Sequence, residues 1–464
     1  MTLAPERTHL YFTRLAVQNV RAFGKAQTLD LTVEGGRPAP WTLILGENGV
    51  GKTTLLQCIA RMRPIPAVKR QKATVASPGI DVGKPNVVEP ELSQFENEEV
   101  IGFVRYGRQI TTSITAALTV HRFGRSQSSR GRPVEIGIEC LHDGKELRKV
   151  EFRQHPLRLA RPPLIVGYGA ARHIGHTNKD VMSERDPTAS LFSDAMDLYD
   201  AEEILSDMHY AAVTGGRRDK DRLKTITAVL AALLPGELQS RDISVLGPRV
   251  PGRMARGTGV QVTTPSGPVP LQRLSLGYQT VFAWTVDLAW RLYSEYPYSK
   301  EPLCQPAVVL VDEIDLHLHP AWQRHIRKHL RKHFPAVQFI VTTHSPITAQ
   351  EALSAGENVC VVRWEGRESK ILSDPLEARE WRFDQLLTSD LFGFDSSRSP
   401  TAESLLNERL ALIRKSRLTK SQKRRLTVLD GVVSSLPTAD SPIEQEARDI
   451  LRESVKLSKL RHRK

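Results

Sequence analysis

The sequence predicts an α/β fold with a mixed central sheet, and three short apolar runs are the evidence for it. Residues 41–45, 308–311 and 337–341 have the length and composition of strands that are buried on both faces. Each run ends in glycine, carboxylate or hydroxyl residues, and open α/β sheets bind ligands outside the carboxyl ends of their strands. We therefore expect one central sheet with flanking helices, with a binding edge formed by these three strand ends.

The first strand end carries a phosphate-binding loop. Residues 46–53 read Gly-Glu-Asn-Gly-Val-Gly-Lys-Thr and match the pattern G-x-x-x-x-G-K-[ST], between a buried strand and a helix predicted over residues 53–60. Glycines let the backbone approach phosphates closely, while the loop N–H groups and the helix N-terminus supply positive potential. The predicted nucleotide contacts are Gly46, Asn48, Gly49, Gly51, Lys52, Thr53 and Thr54.

The chemical roles at the binding edge follow from the residue types. We predict that Lys52 reaches the β- and γ-phosphates and that Thr53 gives its hydroxyl to Mg²⁺. After the second apolar run, Asp312 would hold Mg²⁺ through water, and Glu313 would orient and polarise the attacking water. His344 follows the third run; a strand-end histidine is more often structural, but this one ends a strand of the same sheet. The predicted catalytic residues are therefore Glu313, His344 and Lys52.

A second anion site is predicted at residues 274–279, which read Leu-Ser-Leu-Gly-Tyr-Gln. They open a helix over residues 280–293 that has almost no polar face, so we expect this helix to be buried. Ser275 and Gly277 lie at its start, where free N–H groups favour an anion.

The bulk composition limits the classes of function. The chain has 464 residues, a formal net charge of +13 and four scattered cysteines (Cys58, Cys140, Cys304 and Cys360), which we interpret as reduced thiols. The positive charge favours a polyanionic partner, with nucleic acid first among the candidates. No apolar run approaches the roughly 18 residues that span a bilayer, and the N-terminus is no signal peptide, so we expect a cytoplasmic protein.

The remaining elements are predicted from periodicity and turn signals. Strands are expected over residues 9–20, 26–33, 101–106, 110–121, 134–140, 146–153, 164–166 and 259–262, and helices over 189–214, 220–234 and 321–334. Residues 64–90 are expected to form a loop. Capping boxes begin helices at Thr419 and Ser441. We expect an N-terminal lobe (1–63), a loop and antiparallel β insert (64–163), a helical subdomain (164–270), a C-terminal lobe (271–378) and a helical basic extension (379–464).

Four surface features allow two interpretations each. Asn19, Arg21 and Lys25 would touch a nucleotide or form a solvated turn. The basic loop 121–132 would contact phosphate, although a solvated loop is the simpler interpretation. Histidines at four-residue steps can bind metal, and the helix over 321–334 carries His325, His329 and His333. Together with the neighbouring basic residues, they rather predict a solvated basic face; these residues are Arg324, Arg327, Lys328, Arg331 and Lys332. The basic residues 456–464 would dock on a partner or fray.

By order and identity, these motifs resemble the ABC-class ATPases of the RecF/SMC/OLD type. The resemblance identifies a Walker A motif (46–53), a signature (274–279), a Walker B motif (308–313) and a switch histidine, His344. It implies an ABC-type P-loop NTPase head that pairs head to tail. ATP would then lie between Walker A of one copy and Ser275, Gly277 and Gln279 of the other, with His344 near the γ-phosphate.

A narrower resemblance points to bacterial stand-alone ATPases that are paired with nucleases in anti-phage systems such as Septu and certain retrons. It rests on residues 167–172 (Gly-Tyr-Gly-Ala-Ala-Arg), 312–320, 342–346 and 381–394. It implies ATP and Mg²⁺ as cofactors, a homodimer or higher homo-oligomer, and a separately encoded nuclease partner, most plausibly of the HNH type. The signature lacks the usual second glycine, no glutamine loop is evident beyond the weak candidate Gln109, and no Toprim-like acidic site follows His344.

Other functions remain open at this point. The main alternative is a RecF-like ATPase of DNA repair or recombination, without a nuclease partner. A transporter subunit fits the large insert poorly, and a scaffold that only binds ATP would show no phosphate release.

Overall fold

The computed structural model describes most of the chain in two compact units, residues 1–380 and 381–464. The described residues are 8–67, 87–95, 97–105, 110–122, 131–142, 147–157, 159, 162–172, 186–196, 198–234, 238–246, 259–264, 267–373, 400–415 and 418–435. The strands β1 to β18 are Thr8–Gln18, Gln27–Asp30, Thr32–Val33, Arg37–Pro38, Trp41–Gly46, Pro64–Pro66, Val88–Pro90, Ile110–Arg122, Arg132–His142, Leu147–Arg153, Ile165–Tyr168, Ile243–Leu246, Gly259–Thr264, Gly267–Pro270, Ala307–Val311, Val337–Thr343, Asn358–Glu365 and Glu368–Ser373. The helices α1 to α10 are Lys52–Arg61, Asn97–Phe103, Ala201–Thr214, Arg217–Ala232, Leu276–Glu295, Pro320–Gln323, Ile326–His333, Pro346–Ser354, Pro400–Ile413 and Lys420–Ser435.

The predicted central sheet is present and mixed. Its six strands run in the order β11-β15-β16-β5-β17-β18, all parallel except the antiparallel edge strand β18. Every residue of β5, β15 and β16 is buried, as expected for apolar runs covered on both faces. These three strands are neighbours, so their carboxyl ends meet at one edge. The α/β fold and the meeting of these three strand ends at one edge are therefore confirmed.

A second, antiparallel sheet contains the strands predicted for the β insert. Its order is β10-β9-β8-β1-β2, so the N-terminal strands β1 and β2 extend the sheet that β8, β9 and β10 form. Residues 101–106 were expected to be a strand, and this prediction was wrong because Asn97–Phe103 is helical. Glu98 and Glu99 favour the positive end of this helix, and Val100 and Phe103, three residues apart, both turn into the core.

Gln338 links the two sheets from inside the core. This residue of β16 is 1% exposed, and its side-chain amide accepts from Phe12 N–H (2.9 Å) and donates to Phe12 C=O (2.8 Å). Strand β2 pairs with β1 only from Arg14 onward, so the Gln338 amide takes the place of a neighbouring strand at Phe12. The two layers are thereby fixed in register by polar as well as apolar contacts.

Most of the remaining elements follow the predictions, but the helix predicted over residues 189–214 begins only at Ala201, after a short 3-10 helix at Ala189–Leu191. Helix α5 is buried along most of its length, as its apolar sequence predicted, and Thr419 and Gln422 form the predicted reciprocal capping box of α10. The two ends of the predicted loop 64–90 pair as β6 and β7. Cys58, Cys140 and Cys360 are buried and Cys304 is exposed, and none of the four is in a disulfide. Within the described ranges, no helix is long and apolar enough to cross a membrane. The capping box at Ser441 and the tail 456–464 lie outside the described residues.

The helix predicted over residues 321–334 is divided into α6 and α7, and the predicted solvated basic face is only partly exposed. Arg327 is held by Glu351 and Glu357, each 2.6 Å away, which turns its guanidinium toward α8 and the segment after it. His329 is 9% exposed, and its ring lies 4.5 Å from that of His333. No cluster of three or more metal-ligating side chains occurs in the part of the chain that the structure describes.

The buried His329 predicts an acid-sensitive fold. Burial, reinforced by His333 and Lys332, lowers the pKa of His329 to about 3, from about 6.5 in an unfolded chain. Because the unfolded state then binds more protons, the contribution of His329 is complete above pH 6.5 and is lost as the pH falls below it. Between pH 7 and 5.5 we expect the wild type to lose about 1 kcal/mol more stability than His329→Phe, measured by urea unfolding. The exposed His325 serves as the control, and an equal effect of His325→Phe would contradict the prediction.

Candidate functional site

The phosphate-binding loop joins β5 directly to α1. Gly49 (φ 81°) and Gly51 (φ 98°) adopt left-handed backbone conformations, and Gly51 is the N-cap residue of α1. A Cβ atom on Gly51 would lie 2.8 Å from the ring of Phe23, and one on Gly46 would lie 2.2 Å from the Val362 carbonyl oxygen. Only glycine fits these positions, and a glycine-rich loop at a helix N-terminus is the type of backbone that a phosphate group can approach closely.

Lys52 is folded back into this loop. Its Nζ donates to the carbonyl oxygens of Gly46 (2.7 Å) and Glu47 (2.8 Å), and the side chain is buried. Burial lowers the pKa of Lys52, while Asp312, Glu313 and other nearby carboxylates act in the opposite direction. A cation is thus placed inside the glycine loop, where a phosphate group would meet it.

Asp312 brings the three strand ends together. Its Oδ2 accepts from the Thr53 hydroxyl at 2.6 Å, and its Oδ1 accepts from the Thr342 hydroxyl at 2.5 Å. The contacts join the loop after β5, the end of β15 and the end of β16. A hydroxyl and a carboxylate oxygen side by side are hard donors of the kind that Mg²⁺ prefers, so Thr53 and Asp312 fit the predicted metal.

Glu313 occupies a strained position beside Asp312. Its φ is +46°, its N–H donates to Thr342 Oγ1 at 2.8 Å, and its side chain is half-buried. Sequence reasoning missed Thr342, which bonds both acidic residues, and Arg172, whose guanidinium donates to the backbone of the same turn. Both lie in segments noted only for their resemblance, and their roles depend on contacts between strands.

His344 lies at the end of β16, as predicted, and its side chain is exposed. Within the described ranges it forms no hydrogen bond to the other site residues. The neighbouring Ser345 caps α8, and its hydroxyl donates to Gln323 at 2.7 Å. The backbone that carries His344 is therefore fixed, while its ring is free to meet a ligand.

The signature residues lie at the start of α5. Ser275 is its exposed N-cap residue and makes no side-chain capping bond. A Cβ on Gly277 would lie 2.1 Å from the His317 carbonyl oxygen, so the helix rests on the loop after Glu313. Gln279 donates to the carbonyl oxygens of Gln272 (2.9 Å) and Leu274 (2.6 Å). In the portion of the chain described, no hydrogen bond joins these residues to the phosphate-binding loop.

The turn before β2, which carries Asn19 and Arg21, is only partly exposed to solvent. Arg21, with φ +41°, donates to Gln57 Oε1 at 2.6 Å and to the Gly102 carbonyl at 2.8 Å, so it is docked on α1 and α2. Asn19 donates to the Thr111 carbonyl at 2.7 Å. Gln109, most of the basic loop 121–132 and the segment 381–394 lie outside the described residues.

Known families and relatives match this chain. Residues 230–349 match the family described as "AAA domain, putative AbiEii toxin, Type IV TA system", and residues 14–62 match one described as "AAA domain". The Septu protein PtuA of Bacillus mycoides (strain KBAB4) is 23% identical over 440 residues, which cover 94% of this chain and 52% of that protein. The chain therefore spans about half the length of this relative.

Two relatives match shorter stretches of the chain at higher sequence identity. The retron Ec83 probable ATPase of Escherichia coli is 53% identical over 74 residues, 16% of this chain and 14% of that protein. The retron Vc95 probable ATPase of Vibrio cholerae serotype O1 biovar El Tor is 36% identical over 147 residues, 32% of this chain and 27% of that protein.

The two bonds of Thr342 predict a measurable loss of stability. Thr342→Val keeps the shape of the side chain but leaves Asp312 Oδ1 and the Glu313 N–H without this partner, so we expect a cost of about 2–3 kcal/mol in urea unfolding. Thr285→Val is the matched control, because Thr285 is equally buried and its hydroxyl has no partner among the described residues. We expect this control to be neutral or stabilising. Equal losses for the two variants would show that Thr342 does not hold the acidic turn.

Proposed function

Because this chain is a relative of the Septu and retron ATPases, as its motifs predicted, we propose that it binds and hydrolyses ATP and acts as a nucleotide-controlled switch. The observation that carries the proposal is the pair of hydroxyl bonds at Asp312, which unites the glycine loop with the acidic turn. Lys52 lies inside the glycine loop, and Glu313 lies beside Asp312. This set of residues has the charges and donors that phosphoryl transfer to water requires.

In this proposal each residue has a defined task. The loop N–H groups and Lys52 bind the phosphates, replacing the contacts of Lys52 with the Gly46 and Glu47 carbonyls. Thr53 and Asp312 would hold Mg²⁺, which when bound neutralises phosphate charge. Glu313 orients a water molecule and accepts its proton, and His344 meets the γ-phosphate.

The signature would act on a second copy. Ser275 and Leu276 are exposed, and the first N–H groups of α5 carry no side-chain cap, so this helix end is accessible to a ligand that another chain presents. We propose a head-to-tail dimer in which ATP lies between Walker A of one copy and Ser275 and Gly277 of the other. Gln279 would join this contact by exchanging its bonds to Gln272 and Leu274. ATP then favours the dimer and hydrolysis releases it.

The output of the switch would be a separately encoded nuclease, most plausibly of the HNH type, in anti-phage defence. The relatives are named as Septu and retron proteins, the systems to which the motifs are similar, and the nuclease partner is what that resemblance implies. The net charge of +13 supports nucleic acid as a further partner. The proposal places catalysis of ATP hydrolysis in this chain and cleavage of nucleic acid in the partner.

The composite site predicts a dimer that forms with ATP and dissociates when ATP is hydrolysed. Glu313→Gln should bind ATP and accumulate as a dimer, because it keeps the cradle but removes the base. Light scattering after gel filtration, with ATP and with ADP, measures the mass. Lys52→Ala is the control that should lose ATP binding and stay monomeric. A Glu313→Gln protein that binds ATP and remains monomeric would refute the composite site.

The effector role predicts that a nuclease accompanies the chain. We expect the tagged protein, purified from its native host, to retain an endonuclease, and the ATPase rate of the complex to respond to duplex DNA. Duplex binding should weaken by at least about tenfold between 50 and 200 mM salt, because phosphate contacts release counterions. A lone ATPase that DNA junctions stimulate would instead support the repair alternative.

A further inference from the structure

The proposed function leaves the motif at residues 167–172 without a role. Strand β11 pairs in parallel with β15, so the residues after β11 lie beside the end of the Walker B strand. Arg172 closes the motif, is 3% exposed and has a φ of +31°. A buried guanidinium in an unusual backbone conformation needs a physical reason, because burying a charge is costly unless the group is bonded.

Arg172 donates to the backbone of the acidic turn. Its Nη2 lies 3.1 Å from the Asp312 carbonyl oxygen and also donates to the Glu313 carbonyl oxygen. The same motif accepts from this turn, since the Asp312 N–H donates to the Tyr168 carbonyl at 2.8 Å. The Tyr168 hydroxyl donates to the buried Asp287 of α5 at 2.7 Å, which anchors the motif to the signature helix.

These bonds fix Glu313 from both sides. Thr342 accepts from the N–H of Glu313, and Arg172 donates to its C=O. The residue is kept at φ +46°, a backbone conformation that residues other than glycine rarely adopt. Within the described residues, no hydrogen bond reaches the Glu313 carboxylate itself. The position and direction of its Cα–Cβ bond are therefore set by the backbone contacts.

We propose that Arg172 is a positioning residue that holds the Glu313 backbone so that the carboxylate faces the attacking water. The inference rests on the proposed ATP hydrolysis, and it assigns the step in which Arg172 acts. If Arg172 only neutralised the acidic cluster, we would expect its guanidinium to form a bidentate pair with a carboxylate, with two parallel hydrogen bonds. Arg172 instead directs its bonds to two main-chain carbonyls, and its Nε has no partner among the described residues.

Arginine suits this position better than lysine. Burial lowers the pKa of Arg172 to about 10, opposed by Asp312, Asp315 and Glu313, so the group stays charged at neutral pH. Its planar guanidinium fixes the direction of its N–H donors, whereas a lysine ammonium is a point charge on a flexible stem. Arg172→Lys therefore keeps the charge and removes the directional contact.

The test compares Arg172→Lys with Arg327→Lys. Arg327 is a mostly buried arginine held by Glu351 and Glu357, and it makes no hydrogen bond to the Walker B turn among the described residues. Two readouts are combined: ATP binding and steady-state hydrolysis, and hydrogen exchange of amides 313–318 in the nucleotide-free protein. Arg172→Met, in which the charge is lost as well, is measured by exchange in parallel.

We expect Arg172→Lys to bind ATP within about twofold of the wild type and to lose about 30-fold in kcat, since small misplacements of a catalytic group are costly. Exchange at 313–318 should accelerate at least about tenfold in both Arg172 variants and remain unchanged in Arg327→Lys. Combined with Glu313→Gln, Arg172→Lys should cause no further loss of kcat, because both act in one step.

Three results would overturn the inference: an unchanged kcat in Arg172→Lys, a further loss on top of Glu313→Gln, or unchanged exchange at 313–318. If the wild type hydrolyses no ATP, the proposed function fails on its own. The exchange experiment still decides whether Arg172 holds the turn, so the two failures are distinguishable.

Discussion

The site depends on one carboxylate that two hydroxyls share. Asp312 accepts from Thr53 and from Thr342, which lie 259 and 30 residues away in the chain. The strand order β15-β16-β5 makes these contacts possible, because adjacent parallel strands deliver their carboxyl ends to the same edge. Hydrogen bonds to an ionised acceptor are stronger than neutral ones, so this carboxylate fixes the glycine loop relative to the acidic turn. The other site residues are placed relative to that pair of bonds.

Charge balance accompanies this geometry. Three carboxylates, those of Asp312, Glu313 and Asp315, act on the two buried cations Lys52 and Arg172. Neither cation forms a salt bridge with them; both donate to main-chain carbonyls instead. The cations therefore remain in place through backbone contacts, while the carboxylates keep oxygen atoms for other partners. Such an arrangement suits a site that must exchange a highly charged ligand.

Local patterns predicted the sheet and the motifs, because apolar runs, glycine loops and strand-end acids are short-range signals. They failed where packing decides the outcome. Residues 101–106 alternate like a strand, yet the helix Asn97–Phe103 buries Val100 and Phe103 on one face. Arg327 and His329 have the sequence of a solvated face, and only their partners on other elements explain their burial. The hydrogen bonds of Thr342 and Arg172 likewise could not be predicted from the local sequence, because their partners lie on other strands. The nucleotide contacts of individual site residues stay predictions.

The contact of Lys52 with its own loop has a consequence for selectivity. The ammonium group already has two carbonyl partners, so an incoming ligand gains only the difference between its own attraction and those two bonds. In the proposed function, a weakly charged molecule would not recover that loss, whereas a polyphosphate would. The loop would then discriminate against ligands of low charge before any catalytic step. The cation of the loop is held in place by the backbone of the loop itself.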